Sequence, residues 1–143
     1  MLDVRQPRTP QEFEAYYDLR WRVLRAPWTQ PKESEKDEYE SAAVHLIAWL
    51  DGRMAGVGRV HFPAPHEAQI RYMAVEPELQ GQGIGGAILE ALESSARGRG
   101  VQTVVLNARS TALGFYEKHG YRATEASEVL FESIPHWRMS KAL

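Results

Sequence analysis

The chain has 143 residues, of which 43% are hydrophobic, and carries a net charge of −2. This length and composition predict one domain, residues 1–143, with a hydrophobic core. The absence of cysteine excludes disulfides and thiolate metal sites, and the small net charge argues against binding to nucleic acid or to anionic membranes. No stretch approaches the ~20 apolar residues of a membrane span, and the N-terminus lacks the apolar run of a signal peptide, so we expect a cytoplasmic protein.

The first third of the chain predicts a strand, a helix and a charged segment. "LDVRQP" favours a short strand, and Thr9, Pro10 and Glu12 supply an N-cap, a first-turn proline and the partner of a capping box. The helix is therefore expected to run to about Leu24. The run "KESEKDEYE" that follows has no clean periodicity, which is typical of a solvated loop, although its carboxylates would also favour a cationic substrate.

The middle of the chain predicts a hairpin, a further strand and a helix. Two apolar-alternating runs, "AVHLIAWL" and "RMAGVGRVHF", flank Asp51-Gly52, and Asp-Gly between such runs is a strong hairpin signal. "AQIRYMAV" is typical of another strand. After a glycine-rich stretch, apolar residues recur at helical spacing from Ile84 to Leu92, and the basic turn from Arg97 to Gly100 predicts the end of that helix.

The last third predicts a buried strand "VQTVVLNA", a short helix "TALGFYEKHG" that ends at Gly120, and a final strand "HWRMSKAL". The element order over the whole chain is then β-α-β-β-β-α-β-α-β-β. This order indicates an α/β fold with a mixed sheet and a single central βαβ crossover.

The glycine-rich stretch "ELQGQGIGGAILEALE" raises the question of what it binds, because Gly81, Gly83 and Gly86 have the spacing of a dinucleotide-binding turn. In such a turn the first glycine follows the strand directly, and an acidic residue ends the next strand. Here five residues separate strand and glycines, and the next strand ends at Leu106-Asn107, so a nucleotide-binding redox domain is disfavoured. The N–H groups at the start of the helix remain suited to a pyrophosphate.

Residues 80–85, Gln80-Gly81-Gln82-Gly83-Ile84-Gly85, resemble the Q/R-x-x-G-x-G/A signature of the GNAT superfamily of acyl-CoA-dependent N-acetyltransferases. The later segment "NARSTALGFYEKHGY" resembles the late helix of that family, and the resemblance spans nearly the whole chain. Within this family, the sequence most resembles a bacterial branch of small GNAT proteins whose substrates are poorly specified. The resemblance implies a mixed α/β sheet of about seven strands, splayed in the middle and flanked by about four helices.

The resemblance also implies an activity, namely transfer of an acetyl group from acetyl-CoA to a primary amine of a small molecule or peptide, with acetyl-CoA as co-substrate and no metal. The pantetheine arm would pair with strand residues 73–75, and the glycine loop would hold the pyrophosphate. Arg109 stands where the family often has Asn, so it would contact the cofactor, pair with an acceptor carboxylate or lie exposed in solvent. The implied cofactor-binding residues are Met73, Ala74, Val75, Gln80, Gly81, Gln82, Gly83, Ile84, Gly85, Asn107 and Arg109.

By the same resemblance, Tyr116 is the general acid that protonates the departing thiolate. The general base stays open, with Glu67 at the entrance of the strand "AQIRYMAV" taken as the first candidate. His45, His61, Glu40, His136 and water are the alternatives. Without a base the chain would instead be an acyl-CoA-binding sensor or a partner subunit that does not turn over, and a homodimer also stays open.

Overall fold

The computed structural model describes residues 1–131 and 133–143. Over these residues the secondary structure follows the predicted order. The three α-helices are α1 (Pro10–Leu24), α2 (Ile84–Gly98) and α3 (Leu113–Lys118), with 3₁₀ turns at Ala26–Trp28, Glu40–Ala42, Pro77–Leu79 and Ser110–Ala112. The strands are β1 (Leu2–Arg5), β2 (Val44–Leu50), β3 (Arg53–Ala64), β4 (Glu67–Val75), β5 (Thr103–Arg109), β6 (Arg122–Leu130) and β7 (Ile134–Ala142).

The seven strands form one mixed sheet in the order β1-β2-β3-β4-β5-β7-β6. Only β4 and β5 pair in parallel, and α2 makes the crossover between them. The predicted mixed sheet with a single βαβ unit is thus confirmed. None of the helices in the described part of the chain is long and apolar enough to cross a membrane.

Local signals in the sequence set two of the boundaries. The Thr9 side chain accepts a hydrogen bond from the Glu12 amide at 3.0 Å, which caps the first turn of α1. Asp51 and Gly52 have φ angles of 50° and 83°, as expected for the two central residues of a type I′ turn between β2 and β3. The predicted cap and the predicted hairpin are both confirmed.

A hydrophobic core lies on each face of the sheet. The larger core packs α2 against the sheet through buried residues that include Ile84, Ile88 and Leu92. The smaller core lies under α1 and includes Tyr16 and Leu19. Together the two cores hold the central strands from both faces, so that the ends of these strands are fixed relative to α1 and α2.

The central strands β4 and β5 pair at one end and separate at the other. Their ladder holds only three residue pairs and ends at Gln69 and Val105. Beyond it, β4 stays paired to β3 as far as Val75, while β5 stays paired to β7 as far as Arg109. The predicted splay in the middle of the sheet is therefore confirmed, and one edge of each strand faces the gap between them.

A β-bulge in β4 lies beside this splay. The register pairs Val57 with Ala74 and Arg59 with Arg71, so β4 has one residue more than β3 between these pairs. Tyr72 has a φ of 61°, which is uncommon for a residue other than glycine. The extra residue shifts the alternation of β4, because a bulge re-aims the side chains of its strand.

Candidate active site

The glycine loop between β4 and α2 has the backbone of an anion-binding turn. Gly81 and Gly83 adopt φ angles of 81° and 80°, which L side chains rarely adopt. No side chain caps α2, and its first hydrogen bond runs from the Ala87 amide to the Gly83 carbonyl at 3.1 Å. Among the described residues, the amides of residues 81–86 donate to no acceptor. These N–H groups lie at the positive end of a 15-residue helix, where anions bind favourably.

The two remaining glycines of the loop serve packing. A Cβ atom at Gly85 would lie 3.3 Å from Phe115, and one at Gly86 would lie 3.1 Å from His119. Both distances are shorter than ordinary van der Waals contact, so these glycines let α3 approach the start of α2. This close approach fixes α3, which carries Tyr116, beside the glycine loop.

Tyr116 extends from α3 to the opening of the splay. Its hydroxyl donates a hydrogen bond to the Met73 Sδ atom at 3.8 Å, and Met73 lies on β4 beyond the last pair with β5. Burial raises the pKa of Tyr116 to about 12, although the charge of Arg109 acts in the opposite direction. The phenol is therefore protonated at neutral pH and available as a proton donor.

The edge of β4 that faces the splay carries backbone groups without a neighbouring strand. The Glu76 amide donates to the Ala55 carbonyl at 2.8 Å, which turns Glu76 toward β3. Because backbone groups alternate along a strand, those of Val75 and Met73 face the splay instead, while the Ala74 side chain is buried under α1. Gln80 also reaches this edge, where its Nε2 donates to the Val75 carbonyl at 3.5 Å.

The two β5 residues predicted at the site lie on the α1 face of the sheet. Leu106 and Ala108 belong to the α2 core, so the alternating Asn107 and Arg109 side chains are on the opposite face. The Arg109 guanidinium lies 4.5 Å from the centre of the Trp28 ring and donates to the Leu24 carbonyl at 3.4 Å. Arg109 is thus turned toward the C-terminal end of α1.

The structure does not bring Glu67 to Tyr116. Glu67 pairs with Thr103 at the closed end of the β4–β5 ladder, six residues before Met73. At a rise of about 3.3 Å per residue along β4, Glu67 is about 20 Å from Met73, which accepts the hydrogen bond of the Tyr116 hydroxyl. The two side chains cannot serve one reaction centre, because proton transfer requires hydrogen-bond distance. The interpretation of Glu67 as the first base candidate is corrected on this ground.

Glu40 and His45 are occupied by structural hydrogen bonds. The Glu40 carboxylate accepts from Arg20 at 3.1 Å and from Arg59 at 2.7 Å. Both ring nitrogens of His45 are engaged, Nδ1 with the Tyr16 hydroxyl and Nε2 with the Glu40 carbonyl, each at 2.7 Å. Burial lowers the pKa of His45. Neither group has a lone pair free to take a proton from a substrate.

The other two histidines differ in position. His61 pairs with Gln69 near the closed end of the splay, and its Nδ1 lies 3.0 Å from an Arg59 nitrogen. His136 is the register partner of Arg109 on β7, and its Nδ1 donates to the Ile134 carbonyl at 2.9 Å. That bond leaves Nε2 as the nitrogen with the lone pair.

The acidic segment 33–40 is largely structural. Arg20 and Arg59 are both fully buried, and their partners are Glu40 for Arg20 and Asp37 with Glu40 for Arg59. Glu35 is itself buried. The interpretation of the segment as a solvated loop is wrong for Glu35, Asp37 and Glu40, and the arginine partners of Asp37 and Glu40 offset the charge of these two carboxylates. An arginine inside the apolar strand "GVGRVHF" was the signal, because a buried cation requires an acidic partner.

A cavity of about 560 Å³ opens elsewhere on the molecule, and Phe13, Tyr17 and His45 contribute to its lining. None of its lining residues belongs to the glycine loop, to the splayed ends of β4 and β5 or to α3. We therefore place the candidate active site at the splay, where backbone donors, Tyr116 and Arg109 converge, and not at this cavity.

Comparisons with known proteins agree with this fold. Residues 11–143 match the acetyltransferase (GNAT) domain family, and the chain belongs to that family. It is 33% identical over 128 residues to the "Uncharacterized N-acetyltransferase YjcF" of Bacillus subtilis (strain 168), covering 90% of each chain.

Two solved structures share the fold. ElaA of Escherichia coli is 20% identical with a TM-score of 0.83 and covers 99% of each chain. A GNAT family acetyltransferase from Elizabethkingia anophelis, solved with acetyl-CoA bound, is 20% identical with a TM-score of 0.78 and covers 100% of this chain and 97% of the other. At this level of identity the two structures show that the chain has the same fold, and one of them was solved with acetyl-CoA bound.

Proposed function

We propose that the protein transfers an acetyl group from acetyl-CoA to a primary amine of a small molecule or peptide, by direct attack of the amine on the thioester. The observation that carries the proposal is the Tyr116 hydroxyl at Met73, at the opening of the splay and next to the glycine loop. A thioester in the splay would lie beside this hydroxyl when its pyrophosphate binds residues 81–86. The relative from Elizabethkingia anophelis, which binds acetyl-CoA, supports this choice of co-substrate.

The cofactor would be held mainly by backbone groups. The free amides of the glycine loop would bind the pyrophosphate, and the unpaired edge of β4 at Met73 and Val75 would pair with the pantetheine arm as an added strand does. Gln80, Gln82 and Asn107 would supply side-chain contacts around this path. Binding through backbone N–H groups requires the folded loop, so the cofactor would stabilise the native state.

Tyr116 would act as the general acid. The departing thiolate needs a proton, and a free thiol has a pKa of ~8.5, well below the value of about 12 for Tyr116. Proton transfer from the Tyr116 hydroxyl to a thiolate in water would therefore be thermodynamically unfavourable. Because the thiolate leaves into the same buried cleft, burial raises its pKa as well and narrows the gap.

His136 is the strongest of the base candidates. An amine with a pKa of ~10.4 must lose a proton at a cost of about 4–5 kcal/mol at pH 7 before it attacks. His136 lies on the α1 face of the sheet with Arg109 as its neighbour on β5, and its Nε2 keeps a free lone pair. It would take the amine proton directly or through a water.

A single-turnover experiment on Tyr116→Phe tests the proposal. The ring would still pack and only the phenolic proton is lost, so acetyl-CoA binding is expected to stay unchanged while the chemical step slows by ~10²–10⁴-fold. Tyr39→Phe is the matched control, because Tyr39 is 44% exposed and lies against His61 rather than at the splay. Wild-type rates in Tyr116→Phe would refute the acid role.

The second candidate function is an acyl-CoA-binding sensor that does not turn over. It is favoured by the loss of three base candidates, since Glu67 is remote and Glu40 and His45 are occupied. A sensor would bind acetyl-CoA but release no thiol with any amine. Thiol release that depends on an added amine decides against it.

A further inference from the structure

Two guanidinium groups converge on one backbone carbonyl at the C-terminal end of α1. Arg25 Nη1 donates to the Leu24 carbonyl at 3.1 Å, and Arg109 Nη2 donates to the same oxygen at 3.4 Å. The two nitrogens can be no further apart than the sum of these distances. Arg25 is only 7% exposed, and its Nε donates to another carbonyl, that of Ser34, at 3.1 Å.

Within the described residues, these two arginines differ from three neighbouring arginines in having no acidic partner. Arg20, Arg59 and Arg71 each have Glu40 or Asp37 as an ion-pair partner. Over residues 1–131 and 133–143, no carboxylate oxygen lies within 4.0 Å of a nitrogen of Arg25 or Arg109. Burial lowers the pKa of both groups, and Arg25 lowers that of Arg109 further. A bound anion would relieve this repulsion.

The pair lies next to the reaction centre. Arg109 is the last residue of β5, beyond the point where β5 leaves β4, and its guanidinium lies at the C-terminal end of α1. Trp28 lies under Arg109 and stacks with Phe131 at a centroid distance of 6.4 Å, so aromatic rings border one side of the pair. A guanidinium that lies flat on an aromatic ring presents its edge N–H groups to a ligand.

We infer that the amine acceptor carries an oxyanion. Arg109 would donate hydrogen bonds to this oxyanion, and the nearby positive charge of Arg25 would attract it further. The inference rests on the proposed transfer to an amine and narrows its substrate class to anionic amines, such as amino acids or phosphorylated amines. It replaces the expectation of a cationic acceptor, because Asp37 and Glu40 of segment 33–40 are bound to arginines. A guanidinium binds carboxylate and phosphate through the same fork of N–H groups.

The experiment compares matched acceptors in three proteins. Each of the common amino acids is paired with its carboxamide, and O-phosphoethanolamine with ethanolamine, and kcat/KM is measured with acetyl-CoA for wild type, Arg109→Gln and Arg122→Gln. Arg122 is exposed at the start of β6 and serves as the charge-matched control. The two members of a pair differ in amine basicity, and this difference cancels when the ratio of their kcat/KM values is compared between wild type and a variant.

The expected result is a preference of about tenfold or more for the anionic member of the best pair in wild type and in Arg122→Gln, since charge-assisted hydrogen bonds are the strong ones. Arg109→Gln is expected to reduce that preference to near one. Comparison of the amino-acid pairs with the phosphoethanolamine pair shows whether the site prefers a carboxylate or a phosphate. Equal use of both members by wild type, or an undiminished preference in Arg109→Gln, would overturn the inference.

A binding measurement separates this inference from the proposed function. N-acetyl amino acids and their carboxamides are titrated calorimetrically into the CoA-bound protein. Anion-dependent binding without any thiol release would refute the transfer reaction and keep the oxyanion site. Thiol release with neutral or cationic amines alone, and no anion-dependent binding, would keep the reaction and refute the site.

Discussion

Replacing Asp37 by asparagine removes the carboxylate that holds Arg59 inside the protein. The Asp37 oxygens accept from Arg59 at 2.6 and 3.0 Å and from Arg71 at 3.0 Å, and Arg59 has no exposed surface. Burial alone would raise the pKa of Asp37, but the hydrogen bonds from Arg59 outweigh it and hold the pKa at about 2. Against an ordinary value of 3.8, this is worth about 2 kcal/mol of stability at neutral pH.

The variant Asp37→Asn is therefore expected to lose about 2–3 kcal/mol, because Arg59 keeps Glu40 as its one acidic partner and a fully broken buried pair costs about 3–5 kcal/mol. Urea unfolding measures this loss. Glu38→Gln is the matched control, since Glu38 lies exposed in the same segment and is expected to change stability by less than about 0.5 kcal/mol.

The direction of the pKa shift of Asp37 determines how the stability difference between wild type and Asp37→Asn changes with pH. A carboxyl group with a lowered folded-state pKa contributes stability above its ordinary pKa, and this contribution is lost as the pH falls through the folded value. The stability difference between wild type and Asp37→Asn is expected to be constant above about pH 5 and to shrink between about pH 4 and pH 2. A loss below about 0.5 kcal/mol at pH 7, equal to that of Glu38→Gln, would refute the structural role of the segment.

Three further predictions concern the cofactor loop and the proton transfers. Acetyl-CoA at one hundred times its Kd is expected to stabilise wild type by about 2.7 kcal/mol. Gly83→Glu is expected to lose this stabilisation by acetyl-CoA in thermal unfolding. Gly52→Glu is the control and is expected to keep it, because Gly52 has a similar positive φ and equally open space around an added Cβ atom. Equal stabilisation of both variants by acetyl-CoA would contradict the assignment of the loop to the pyrophosphate. Because the pKa of Tyr116 is about 12, turnover should show no alkaline fall below about pH 11, and a fall centred near pH 10 would contradict this burial. His136→Gln is expected to lower kcat/KM by ~10²–10⁴-fold and His61→Gln far less, measured at the pH optimum; equal losses would remove His136 as the base.

The elements of this fold could be predicted where their signals are local. The Thr9 cap, the Asp51-Gly52 turn and the spacing of apolar residues in α2 each depend on neighbours within one or two turns of chain. The glycine loop is of the same kind, since Gly81 and Gly83 are required by their own φ angles. These parts of the site could therefore be placed from the sequence.

The buried arginine in "GVGRVHF" indicates that an acidic partner exists, but the identity of each charge partner could not be predicted, because the partners are far apart in the chain. Asp37 meets Arg59, and Arg109 meets Arg25 only through the carbonyl of Leu24. The prediction of Glu67 as the base was wrong for a related reason. The sequence predicts strand β4, but it does not predict the residue of β4 at which β5 separates from it. That point depends on tertiary packing, which has no local sequence signature.

The most direct test of acetyl transfer is detection of the product itself. Wild-type protein is incubated with acetyl-CoA and each of the common amino acids, their carboxamides, O-phosphoethanolamine and ethanolamine. Mass spectrometry measures the N-acetyl product, and a thiol reagent measures the released CoA. We expect the two to appear in equal amounts with at least one amine, and both to fall together in Tyr116→Phe. Saturable binding of acetyl-CoA without an N-acetyl product from any amine would contradict the account and identify a sensor instead.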